Sequence, residues 1–149
     1  MDINIPFKIE FLTIKTNNFK DKKRLINKEL KKYPEKRFEN FYSNRGNNKI
    51  SGDLLKIFKE EFNQISQHYG RLLNFYGAWS ASYGKGDYHI PHNHGSVGYA
   101  GIIYLDMHKK SPVTCYLQPW NNDKDRSVIY EPKAEEGDIL VIPQHIVHF

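Results

Sequence analysis

The sequence predicts an α+β protein, mainly β with N-terminal helices: a strand and two helices, then a β-rich half arranged as an all-β sandwich or jelly-roll with the helices packed on one sheet. Three observations predict it. Residues 3–15 nearly alternate apolar and polar side chains, and two later stretches carry apolar residues at helical spacing. From Gly77 onward six short β-rich runs (AWSASY, YHI, GYAGIIYLDM, VTCYLQ, SVIYE and GDILVI) are separated by Gly, Pro, Asn and Asp, the punctuation of a sandwich or jelly-roll.

The first element is carried by Ile3, Ile5, Phe7, Ile9 and Phe11, followed by Leu12 and Ile14, a near-alternation that reads as a strand with a bulge. In KDKKRLINKELKK, residues 20–32, Leu25, Ile26 and Leu30 with the following Tyr33 line one side of a helix that Pro34 ends. FENFYSNRGNNK, rich in Asn, Ser and Gly, reads as a loop. A second helix begins near Ser51 to Asp53, where an acidic residue suits the helix N-terminus, and Leu54, Phe58, Phe62, Ile65 and Tyr69 form its core stripe. With 149 residues, 39% of them hydrophobic, the chain is long enough for one core and short for two. A single domain over 1–149 is expected, with residues 1–75 supplying the strand and helices and 76–149 the β-rich core.

The net charge of +5 is uneven: residues 1–76 hold 16 Lys and Arg against 9 Asp and Glu, whereas residues 77–149 hold 6 against 8. The basic excess therefore lies outside the histidine-rich half. On residues 20–32 it reads as a solvated helix face, with weak attraction to an acidic partner such as nucleic acid as the functional reading. MDINIPFKIE has no basic segment leading into an apolar run, and no stretch of about 18 apolar residues occurs, so neither export nor a membrane span is expected and the cytoplasm is the predicted location. Cys115, the lone cysteine, reads as a small apolar strand residue rather than a nucleophile.

Six of the seven histidines (His89, His92, His94, His108, His145 and His148) follow residue 88. His92 and His94 are two apart, so on an extended strand both imidazoles point to one face, about 7 Å apart along the backbone, as a chelating pair. A third ligand must come from elsewhere, and His148, after the run EEGDILVIPQHIVHF, is the candidate. Three imidazoles suit iron, zinc, copper or nickel and leave coordination positions open. Trp79 and Tyr83 read as core or pocket wall.

YGKGDYHIPHNH, residues 83–94, resembles the metal-binding entry of iron(II)- and 2-oxoglutarate-dependent oxygenases, which reads Tyr-x-x-Gly, a few residues, then His-x-Asp. GYAGIIYL is similar to the small-residue-plus-Tyr-Leu strand that follows it, and EGDILVIP, residues 136–143, to the strand leading to the distal histidine, here His148. The resemblance spans roughly residues 76–149. It implies a double-stranded β-helix, a cupin-like jelly-roll, with His92, His94 and His148 as iron(II) ligands and 2-oxoglutarate as cosubstrate. On the strand after His94, Tyr104 reads as aromatic core or as a hydrogen-bond donor to the cosubstrate carboxylate, and His89 and His145, near the ligands in sequence, read as residues behind them or as simply exposed.

Two departures from the family pattern shape what is expected. Position 94 is His where most members have Asp or Glu; the sequence is most similar to a branch found in bacteria and phages that reads H-x-H, and for a phage protein the location would be the host cytoplasm. The second departure is that no Arg or Lys follows His148 to pair with the far carboxylate of 2-oxoglutarate. From this the jelly-roll core is expected to lack its last strand, and the chain to be a portion of a longer protein whose closing strand carries that basic residue; the alternative is that another chain or the N-terminal strand fills the gap. An oxygenase hydroxylating an unidentified substrate is the leading functional expectation. A three-histidine cupin-type metalloenzyme without 2-oxoglutarate, or a non-catalytic jelly-roll module with a basic N-terminal helix, are the alternatives.

Overall fold

The computed structural model describes residues 8–46, 50–109, 111–122 and 124–149, and the chain is α+β. The described residues form two compact units: Thr16–His89, contiguous in sequence, and the chain up to Lys15 together with Ile90–Phe149.

In the contiguous unit, α1 spans Phe19–Leu30, with Asp21 in its first turn and Lys28 in its last, the charge order that the helix dipole favours. Of the predicted stripe only Ile26 is fully buried; Leu25 is 47% exposed. The cations of α1 are not all solvated either. Lys22 Nζ lies 2.8 Å from both carboxylate oxygens of Glu61, whose side chain is completely buried, and the Asn17 amide donates to Glu61 Oε1 at 3.1 Å. A buried carboxylate is tolerated because its charge and its lone pairs are met.

The predicted second helix is two helices, α2 at Ile50–Ile57 and α3 at Lys59–His68. The chain leaves helical geometry at Phe58 (φ −106°, ψ 27°), which is fully buried. Phe58 and Ile65 supply the buried part of the aromatic stripe. The segment expected to be a loop after α1 is instead a hairpin. β2 (Lys36–Phe38) pairs antiparallel with β3 (Phe41–Ser43), and Phe38 faces Phe41 across a two-residue turn in which Glu39 takes a left-handed φ of 51°. Aromatic cross-strand packing thus outweighs the loop-like composition. β4 (Ala81–Ser82), all that forms of the AWSASY run, adds to β3 and so belongs to this unit.

In the other unit, β1 (Leu12–Lys15), β8 (Asp138–Pro143) and β5 (Tyr99–Ile103) make an antiparallel sheet in the order β1-β8-β5. Ile3, Ile5 and Phe7 of the predicted first strand lie outside the described residues; the strand that forms begins at Leu12. β8 is the central strand, and Asp138 through Ile142 are all buried, so both of its faces are covered. Its sequence, DILVIP, is an apolar run rather than an alternation for that reason. β6 (Tyr116–Leu117) pairs with β7 (Ile129–Tyr130). Tyr116, Leu140, Ile142 and Ile146 form a buried cluster, with Ile9, Phe11, Ala100 and Tyr104 packed against it. The predicted YHI strand does not form: residues 88–90 are irregular, and regular pairing next appears at His92.

Candidate metal centre

The site is built on one antiparallel bridge. Beyond β8 the chain turns through Gln144–Ile146 and runs back alongside the segment around His92. His92 and His148 exchange both backbone hydrogen bonds, the His92 amide donating to the His148 carbonyl at 2.9 Å and the reverse bond measuring 2.8 Å. Side chains of directly opposed residues share a face, so the two imidazoles meet, with ring centroids 4.4 Å apart. His94, two residues on from His92, brings its ring to 5.1 Å from that of His92 and 5.0 Å from that of His148. Its backbone is fixed by an amide bond to the Gln144 carbonyl at 3.0 Å.

One ring nitrogen from each of the three histidines lies within 4.8 Å of the others. Three points so spaced have a common centre within about 2.8 Å, and small side-chain rotations bring this to the roughly 2.0–2.1 Å of an imidazole–metal bond. The tautomers suit ligation. His92 Nδ1 is 3.0 Å from the Ile90 carbonyl and His148 Nδ1 is 3.0 Å from the Ile146 carbonyl. A carbonyl only accepts, so each Nδ1 carries the proton and each Nε2 keeps its lone pair for a metal. Burial pushes the His148 pKa below its ordinary value against the opposing pull of the Ile146 carbonyl, and nearby His92 lowers it further. Both causes favour the neutral imidazole, the form that binds metal.

Next to the triad stands the Tyr116 phenol, and Tyr104 packs against the buried cluster that contains Tyr116. The Tyr116 ring lies 5.6 Å from that of His148, and Tyr116 is 1% exposed. Its hydroxyl and that of Tyr104 are buried without a hydrogen-bond partner among the described residues; Thr114 lies beside both but outside hydrogen-bond geometry. Burial raises the pKa of both phenols, so each is a neutral donor. Tyr104 is a residue the sequence points to; Tyr116 is not. The signal for Tyr116 is its place in VTCYLQ, a strand-like run in which an amphipathic aromatic occupies the inward position.

The remaining sequence candidates have surroundings of their own. His89 packs edge-on against Phe41 at 4.6 Å within the contiguous unit. His145 is exposed in the turn after β8, and His108 is exposed as well. Tyr83 stacks on Phe41 at 5.1 Å, and Trp79 carries the Arg45 guanidinium 5.4 Å above its ring. Cys115 is half-buried, its thiol pushed up by burial, which disfavours the nucleophilic thiolate.

The donor set, three imidazoles with no carboxylate among them, could hold one borderline divalent metal ion. No protein-family model matches this sequence, and no curated protein matches it. Among the described residues no helix is long and apolar enough to cross a membrane.

Proposed function

We propose that the unit containing Ile90–Phe149 is a double-stranded β-helix holding one iron(II) ion on His92, His94 and His148, and that the protein is a 2-oxoglutarate-dependent oxygenase. The convergence of three histidine nitrogens within 4.8 Å of one another carries this reading. Iron(II) bound there supplies the redox chemistry that activates oxygen. The chain's own residues would bind and orient it: His92 and His148 would ligate through Nε2, with their Nδ1 atoms held by the Ile90 and Ile146 carbonyls, and His94 would be the third ligand. The Tyr104 and Tyr116 hydroxyls, buried without a hydrogen-bond partner among the described residues, are donors suited to a carboxylate of the cosubstrate. Leu140, Ile142 and Ile146 bury Tyr116 in an apolar cluster beside the histidines.

One observation favours a second reading, a three-histidine cupin-type metalloenzyme that does not use 2-oxoglutarate: the donor set contains no carboxylate. Anaerobic iron(II) titration with and without 2-oxoglutarate separates the two. A weak visible charge-transfer band that requires both additions is the expected result. Iron uptake indifferent to 2-oxoglutarate selects the cupin reading, and failure to take up iron removes both.

A further inference from the structure

We propose that Gln144 is the positioning residue of this centre: it clips the segment carrying His94 to the turn that leads to His148. The proposal rests on the metal reading above.

Between His94 and β5 the chain passes through Gly95, Ser96, Val97 and Gly98. Both glycines take positive φ, 124° and 106°, a region costly to other residues. Val97 is 84% exposed, so its side chain does not anchor the segment by packing. Left to itself, a short exposed stretch bounded by two glycines fixes a neighbouring ligand poorly.

Gln144 contacts this segment at both ends. Its carbonyl accepts the His94 amide at 3.0 Å, and its amide donates to the Gly98 carbonyl at 3.0 Å. Its side chain crosses the chain at Gly98, with Oε1 3.4 Å from where a Cβ would stand there and 3.7 Å from the equivalent point at Gly95. Nε2 then donates to the Tyr99 carbonyl at 3.2 Å. One residue thus closes the stretch from His94 to Tyr99, and the same residue opens the turn that delivers His148. Two of the three ligands are set relative to each other through it. The side chain must be long enough to cross Gly98 and must donate to a carbonyl, two requirements that glutamine meets and glutamate, lacking the N–H, does not.

The test uses the full chain, with cobalt(II) as a spectroscopic probe and amide hydrogen exchange as a metal-free readout. Gln144→Ala and Gln144→Glu are expected to keep cooperative unfolding. Each should bind cobalt about tenfold to a hundredfold more weakly, the range found when residues behind metal ligands are changed. The visible cobalt spectrum should shift as the ligand geometry loosens. In metal-free Gln144→Ala protein the His94 amide should exchange at least about tenfold faster than in the parent while the His92 amide is unchanged, since only the former belongs to the clipped segment. A parent protein that takes up no cobalt sinks the metal reading itself. A parent that binds cobalt while Gln144→Ala binds it equally, or leaves His94 exchange unaltered, sinks this proposal alone.

Discussion

His92 and His148, 56 positions apart in sequence, are placed by the same local device. Each ring is hydrogen-bonded through Nδ1 to the carbonyl two residues upstream, Ile90 and Ile146, and the two residues hold each other by a reciprocal pair of backbone bonds. The placement of the two residues opposite each other is therefore set by backbone pairing, to which neither imidazole contributes.

It follows that His92→Ala should fold normally, with stability changed by less than about 1 kcal/mol, because the residue is half-buried and its bridge is backbone. Its affinity for cobalt or zinc should fall by at least about a hundredfold, beyond the range for residues behind the ligands. His148→Ala should lose metal as severely and also cost about 1–3 kcal/mol, since His148 is 4% exposed. Calorimetric titration and urea unfolding measure the two effects. If His145→Ala lost metal and His148→Ala did not, the distal ligand would have to be reassigned.

Tyr116→Phe should separate stability from binding. A buried hydroxyl without a partner costs roughly 1–3 kcal/mol, so removing it should leave the ligand-free protein as stable or more stable. The same change should weaken 2-oxoglutarate binding to the iron-loaded protein. A clear loss of ligand-free stability would mean that the hydroxyl has a partner in solution.

Lys22→Met leaves the carboxylate of Glu61 buried with its charge unmet, which should cost about 3–5 kcal/mol. Replacing Glu61 by Leu in the same protein should recover most of the loss. Urea midpoints of the parent, single and double variants decide it. A penalty below about 1 kcal/mol for the single change would show that Lys22 is not what compensates that charge.

The Asp87 carboxyl is held below its ordinary value of 3.8, first by the Gly84 amide, 2.8 Å away, and then by Arg37 at 2.9 Å. A depressed folded-state pKa contributes stability that is complete above the unfolded value and is lost as the pH falls through the folded one. The Gly84 amide resonance should therefore titrate with a midpoint below 3.8, and in Asp87→Asn that acid transition should vanish. A parent midpoint at or above 3.8 would contradict the assignment.

The elements legible in the sequence are those whose signal is local. The spacing of His92 and His94 places two rings on one face whatever lies across from them, and the unbroken apolar run of β8 marks a strand covered on both sides. The hairpin β2–β3 was hidden because Glu39 and Asn40 look like loop residues, while its stabilising contact, Phe38 against Phe41, depends on a left-handed residue that composition does not reveal. The helix break at Phe58 interrupts a stripe whose periodicity runs on undisturbed. Tyr116 and Gln144 are not legible for a different reason: Tyr116 stands opposite His148 and Gln144 bonds to His94, Gly98 and Tyr99, and no spacing within a single segment encodes such pairings.

The strand order β1-β8-β5 puts the latest-made strand in the middle. Leu12 pairs with Val141, so a ribosome must add 129 residues after Leu12 before that pairing can form. At about 5–20 residues per second this takes roughly 6–26 s. Throughout that interval β1 and then β5 are exposed as strands without their shared partner, a state prone to association with other chains. The unit Thr16–His89, contiguous in sequence, is made entirely within the wait. Biogenesis of this protein thus has a built-in order, and a chaperone that delays collapse of the nascent β1 segment should raise its yield more than one acting on the finished chain.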